Sequence, residues 1–356
     1  MDIGSFLKTR CQVGALWIFS LLLIIPFRPF RPLPGRASVA YDIFPLFCER
    51  TFAMSERVSV RVPATCANLG CLFDCGAMAL SLYVNIHVTT RADKEIVVHY
   101  QGVHADRVRA GGFNLIARTL QETLRSWGKT NGFEMEIENQ IPVGVGVGSS
   151  AAAIVGALAA GYWLADRPLF DEELVSLAAQ REGHPDNVAA AWHGGFTVAA
   201  QAADQVLAYS CPVPEPLGLV LVVPDYALPT ERARQVLPGE YSRADAVHNL
   251  QRAAVMTAQF FSGKAEFHRS FFDDRWHQSY RAPLVPGLPE VLALRHPDLL
   301  GVCLSGAGPS ILGFVRGNTA AVGELIQATL AEKQVRAEVH LLAADNRGAK
   351  GWSLPV

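Results

Sequence analysis

A surplus of positive charge and a disulfide framework are both missing from this chain of 356 residues. Its 31 Lys and Arg stand against 33 Asp and Glu, a formal net charge of -2, and no dense Lys/Arg run occurs. A nucleic-acid partner calls for a basic face, so none is expected. The seven cysteines (Cys11, Cys48, Cys66, Cys71, Cys75, Cys211, Cys303) are odd in number and thinly spread. That is unlike a small secreted domain, and a reducing, cytoplasmic compartment is expected. Cys66, Cys71 and Cys75 have neither a CxxC partner nor a nearby histidine pair. They read as small core or loop residues, not a zinc site.

A long hydrophobic run is also missing. Val13 to Phe27 supplies fifteen residues, short of the ~20 of a spanning helix, and Pro26 and Pro29 end it. With Lys8 and Arg10 before it and a small-residue ASVA pattern after a Pro/Arg-rich stretch, its shape is that of a signal peptide or short anchor. Everything that reads as a domain follows Met54. The expectation is a disordered leader or mis-called start over 1–53, and no stable membrane association. At roughly 150 residues per domain the remainder holds two, divided at the composition shift near Pro212 into 54–210 and 211–356.

What is present is a mixture of periods. VSVRV alternates as a half-buried strand that Pro63 closes, and LSLYVNIHVTT, EIVVHY and FEMEIENQIPV are further strands. NLIARTLQETLRSWG places Ile116, Leu120, Leu124 and Trp127 on one helical face, with Gly128 as its stop. AAAIVGALAAGYWLA is apolar all round, hence a buried helix. DEELVSLAAQREG is a helix with Asp171 as its N-cap. A second block follows: strand LGLVLVVPD, a helix from Ser242 with Asp245 in capping-box register, then strands GVCLS, ILGFV and AEVHLLAAD around another helix. Short mixed units of this kind predict an α+β fold in two layers, not a doubly wound parallel sheet.

Between FEMEIENQIPV and the buried helix lies PVGVGVGSSAAA. A strand running through Gly144, Gly146 and Gly148 into a helix that opens on Ser149 and Ser150 gathers free N–H groups and a helix dipole at one point, an anion site. No lysine follows the last glycine, so this is not a Walker A loop.

That stretch resembles the phosphate loop of the GHMP kinases, as do RVPATCANLGCLFDCGAMAL before it and CLSGAGPSILGF after it, in the family's order. PAT-x-ANLG-xx-FD and EGHPDNVAAAWHGGF resemble the homoserine-kinase branch in particular. One departure is Cys71-Leu72, where the branch has Pro-Gly. The resemblance implies a two-domain GHMP kinase fold, with an N-terminal domain like ribosomal protein S5 domain 2 and a ferredoxin-like C-terminal domain. It implies ATP and Mg2+ as cofactors, L-homoserine as acceptor and a homodimer. ATP would lie on Pro142, Val143, Gly144, Val145, Gly146, Val147, Gly148, Ser149, Ser150, Ala151 and Ala152, with Asn114 near the adenine. Magnesium would be held by Ser150 and Glu182. The amino acid would meet Asn68, Asp74, His184, Asn187, Thr230, Arg234, Arg281 and Gly308, with Asp74 facing the ammonium and the two arginines the carboxylate. Asn187 stands where relatives carry a base, so catalysis would rest on approximation and metal, with Asp186 and Glu182 as the neighbouring acids. A mevalonate-type acceptor and a membrane-tethered, non-catalytic ATP-binding protein are the alternatives.

Overall fold

The computed structural model describes residues 57–106, 114–264, 267–352 and 354–355. The expectations for residues 1–53 lie outside the described residues. β1 (Arg57–Asn68) pairs antiparallel with β2 (Leu72–Thr90). The expected stop at Pro63 does not occur: Pro63 sits within β1, at a register shift between Pro63 and Ala64. On its other side the one strand that pairs with β1 among the described residues is Leu354–Pro355, at Val58 and Ser59, well short of Pro63. The N–H that proline lacks therefore leaves no ladder bond unmade there.

β3 (Ile96–Gly102) runs parallel to β4 (Phe133–Asn139), which pairs antiparallel with β2. In β4 Phe133, Met135 and Ile137 are buried, as their alternation predicts. α1 (Leu115–Ser126) precedes β4, and α2 (Ser149–Leu164), α3 (Asp171–Glu182) and α4 (Asp186–His193) follow it, packing on the sheet and on one another. α2 is buried on almost every side. Its alanines and glycines admit the sheet and three helices at close range, and each buried Leu or Ile adds about 1.5–3 kcal/mol.

Asp171 is not the cap of α3. Phe170 holds that position, and Asp171, the first helical residue, accepts from Trp192 Nε1 at 3.0 Å and from the Lys350 ammonium. It joins α3 to α4 and to the end of the chain. β5 (Phe196–Ala202) and β6 (Gln205–Cys211) form a hairpin attached to β2; the second of these strands is not anticipated by the sequence reading.

β7 (Gly218–Pro224) opens a second sheet. α5 (Thr230–Gln235), α6 (Arg243–Phe261), α7 (Gln278–Arg281) and α8 (Leu288–Ala293) lead to β8 (Leu299–Leu304) and β9 (Ile311–Val315). α9 (Thr319–Ala331) and β10 (Ala337–Leu342) complete it in the antiparallel order β10-β7-β9-β8. Ser242 caps α6, accepting the Asp245 N–H at 3.0 Å, as predicted.

After β10 the chain returns to the first sheet. Asp345 donates its backbone N–H to Ala79 O and accepts from Gly195 N–H, α10 (Gly348–Trp352) packs on α4, and β11 (Leu354–Pro355) is the segment against β1. Among the described residues the sole parallel strand pair is β3 with β4, so the fold is α+β and not doubly wound. No helix among them is long and apolar enough to cross a membrane.

Candidate active site

The glycine stretch is held by its carbonyls. Gly144 O accepts from Leu228 N at 3.0 Å, Val145 O from Ser310 N at 3.1 Å, Gly146 O from Ser305 Oγ at 2.8 Å and Val147 O from Thr65 N at 3.1 Å. Gly148 O takes the first helical bond, from Ala152 N at 2.9 Å. The amides from Gly144 to Ala151 have no acceptor among the described residues. Eight donors in sequence, ending at the positive pole of α2, make an anion cradle.

The backbone reaches this shape through positive φ at Gly144, Gly146 and Gly148, of 76°, 86° and 67°. A side chain at Gly146 would strike the Ser305 and Gly308 backbone; one at Gly148 would strike the Thr65 hydroxyl and Asn187 Oδ1. The Ala152 N–H makes that helical bond and is not among the eight. The side chains of Pro142, Val145, Val147, Ala151 and Ala152 are buried, whereas Val143 is exposed.

Beside the cradle is an apolar cavity of about 220 Å3, to which Val84, Ile116, Ile141 and Ala153 contribute. Ser149 and Ser150 belong to its wall as well as to the cradle. Asn114 lines it while capping α1, its Oδ1 accepting Ala117 N–H at 3.1 Å.

On the far side of the cradle a polar cleft of about 150 Å3 brings together Asn68, Asp74, Glu182, His184, Asp186, Asn187, Thr230, Arg234 and Arg281, which are far apart in sequence. Gly308 does not line it. It lies behind Gly146, and Gly306 and Ala307 form the wall at that point.

The turn from β1 to β2 carries Asn68 and Asp74, both at positive φ (71° and 55°). Asn68 Oδ1 accepts Asp74 N–H at 3.0 Å and its Nδ2 donates to Gly306 O at 2.8 Å, which closes the turn and docks it on the loop after β8. Cys71 and Leu72, at the positions of the Pro-Gly departure, are buried, so the turn is packed from within.

Asp74 is already paired. Arg234 Nη1 and Nη2 donate to its two oxygens at 2.9 and 2.8 Å, a bidentate fork on half-exposed side chains. Arg281 is buried, donating through Nε to Ala233 O at 3.1 Å and through Nη1 to Gly306 O at 3.0 Å. Burial, with the Arg234 guanidinium next in weight, pulls its pKa down to about 10. Arg234 forks onto Asp74 while the Arg281 guanidinium beside it bonds the Ala233 and Gly306 carbonyls, an arrangement that favours a further anion.

The loop between α3 and α4 carries the acids. His184 Nδ1 lies 2.8 Å from Asp186 Oδ1, and its Nε2 3.9 Å from Glu182 Oε1. Burial would lower the imidazole's pKa, but the Asp186 hydrogen bond and the charges of Asp186 and Glu182 outweigh it and hold it above the ordinary value. Burial raises the Glu182 pKa, with partial relief from the Ser150 hydroxyl, which donates to its Oε2 at 2.7 Å. Asp186 Oδ1 also accepts the Asn187 N–H at 2.6 Å. Asn187 Oδ1 takes the hydroxyl of Thr65 at 2.7 Å, which fixes the amide's orientation.

Thr65, Phe73, His277 and Ser305 are absent from the sequence-predicted site, although each touches it. Thr65 and Phe73 lie in the quoted motifs, and His277 precedes Arg281 by one helical turn. Those were the available signals.

Residues 114–195 match the family model described as GHMP kinases N terminal domain. The chain is 39% identical over 292 residues to the homoserine kinase of Moorella thermoacetica, covering 82% of this chain and 98% of that one. It is 42% identical over 270 residues to the homoserine kinase of Solibacter usitatus, covering 75% and 88%. Among solved structures, homoserine kinase from Cytophaga hutchinsonii superposes with a TM-score of 0.72 at 25% identity, over 83% of this chain and 97% of that one. The mevalonate kinase of Methanococcus jannaschii shares the fold, with a TM-score of 0.58 at 14% identity, over 80% and 98%.

Proposed function

Because the chain belongs to the homoserine kinases of the GHMP kinase family, we propose that its cleft transfers the γ-phosphoryl group of ATP to the side-chain hydroxyl of L-homoserine. The observation that carries this reading is the junction of an anion cradle with the Asp74, Arg234 and Arg281 cluster in one cleft. The apolar cavity takes the adenine, and the amides from Gly144 to Ala151 take the phosphates.

A zwitterionic amino acid suits the other end. Its ammonium displaces Arg234 from Asp74, and its carboxylate takes up the guanidinium so released, alongside Arg281. Mevalonate, with no ammonium, would take Arg234 and leave Asp74 without a partner. Breaking the fork therefore costs a ligand with a carboxylate alone more than a zwitterion.

Ser150 Oγ and Glu182 Oε2, 2.7 Å apart at the cradle's mouth, are hard oxygen donors that fit magnesium. The ion would supply neutralisation of phosphate charge. Asp186 is buried and accepts from His184 and Asn187 on one oxygen. It orients those two residues. The transfer itself rests on holding hydroxyl and phosphate in line, since a loose phosphoryl transition state needs little prior ionisation of the acceptor.

The test is coupled ADP release with ATP, magnesium and, in turn, L-homoserine, L-serine, L-threonine and mevalonate. Turnover specific to L-homoserine is expected; turnover with mevalonate alone would discard the amino-acid reading.

Glu182→Gln is expected to lower kcat by about 30-fold, as loss of one charged ligand from an otherwise intact site does. With the Glu182 pKa raised, the carboxylate protonates above the ordinary glutamate range, and activity falls as pH drops through that raised value. A kcat–pH profile of wild type and variant checks both, and an unchanged kcat in the variant would remove Glu182 from the metal set.

A further inference from the structure

His277, one helical turn before Arg281, is fully buried and has no place in the reaction as described so far. Its Nε2 lies 2.9 Å from the carbonyl of Gly70, in the turn that carries Asp74. Its Nδ1 lies 3.2 Å from Arg281 Nη1. A carbonyl only accepts and a guanidinium only donates. Both bonds form together in a single state of the ring: neutral, protonated on Nε2, with a bare lone pair on Nδ1.

The surroundings support that state. Burial lowers the pKa of His277. Asp274 Oδ2, 3.6 Å from Nε2, opposes this, but it also accepts the backbone N–H groups of His277 and Gln278 at 2.8 and 2.7 Å. The charge of Arg281 adds to the lowering.

The ring also orders the cleft's aromatic wall. It stacks on Phe73 at 5.3 Å and 24°, and the Phe73 ring lies 5.8 Å from the Arg234 guanidinium and 5.4 Å from that of Arg281. Phe73 thus meets the imidazole and both guanidiniums, and its ring offsets some of the guanidiniums' mutual repulsion.

We propose that His277 is a positioning residue of the amino-acid site: its neutral imidazole ties Arg281 to the turn bearing Asp74 and so fixes the distance between the groups that read the two substrate charges. This rests on the homoserine reading above. It differs from a packing role because it needs an acceptor at Nδ1 facing Arg281.

Two amide substitutions separate the bonds. His277→Asn keeps an oxygen near Nδ1 and gives up the reach to Gly70; His277→Gln keeps a donor near Nε2 and gives up the acceptor for Arg281. His277→Gln is expected to raise KM for L-homoserine by about 10- to 30-fold, the size of a lost hydrogen bond to a charged group, with KM for ATP unchanged. His277→Asn is expected to raise it much less. Equal rises in the two variants, or a fall in kcat alone, would overturn the assignment.

Nitrogen-15 NMR of histidine-labelled wild-type protein avoids dependence on the variants' folding. The Nε2–H tautomer is expected at neutral pH, before and after L-homoserine is added; a protonated Nδ1 would refute the bridge. If wild type turns over no homoserine, the substrate reading fails, while the tautomer still judges the bridge independently.

Discussion

Asp74→Asn is expected to lower kcat/KM for L-homoserine by about 10²- to 10³-fold, with KM for ATP little changed. In the wild-type cleft the Asp74 carboxylate is the counter-charge of Arg234, and Arg281 stands next to both. The neutral amide leaves two guanidiniums without it and asks the substrate ammonium to join them as a third cation. Removing one partner of a buried ion pair costs about 3–5 kcal/mol. Side-chain exposures of 38% for Arg234 and 34% for Asp74 allow water to offset part of that. Steady-state kinetics with each substrate varied would check it. A variant within threefold of wild type for homoserine would sink the ammonium assignment.

The second large effect is structural. At Gly146 φ is 86°, and the atoms a Cβ would strike are Ser305 O, Gly308 N and Gly308 O. All belong to backbone, so no rotamer relieves the clash. Gly146→Ala is expected to destabilise the protein by about 2–5 kcal/mol, the sum of a left-handed alanine and an overpacked contact. It also pushes the loop after β8 away from the cradle, so nucleotide affinity should fall as well.

Gly144→Ala is the control. Its φ is also positive, but the nearest atom to a Cβ there is Ala227 Cβ at 3.5 Å. That variant should lose only the conformational part, about 1–2 kcal/mol. Urea unfolding midpoints of the two compared with wild type decide the matter. Equal losses would mean that the approach of the Ser305 to Gly308 backbone carries no energy.

Much of the fold was legible because its signals are local. The period-two burial of Phe133, Met135 and Ile137, the all-apolar α2 and the Ser242 cap each depend on residues a few positions apart. The misreadings were local as well. Pro63 looked like a strand end because the sequence does not show that, among the described residues, no strand pairs with β1 opposite Pro63 on that side. Asp171 looked like a cap because its actual partners, Trp192 and Lys350, are distant in the chain.

At the site, residue types and spacing by themselves determined the anion site, glycines at every second position before a helix, whereas an acid for an ammonium and two arginines for a carboxylate were expectations drawn from the resemblance to the homoserine kinases. Tertiary structure decided how these are coupled. Asp74 and Arg234 are 160 residues apart and neutralise each other; Ser305 meets Gly146 across 159 residues, and Thr65 orients Asn187 across 122. His277 acquires its tautomer from Gly70, 207 residues away. Periodicity and capping report on neighbours along the chain, whereas the protonation of a buried ring or the occupancy of a carboxylate depends on which distant groups the two sheets bring within hydrogen-bond reach.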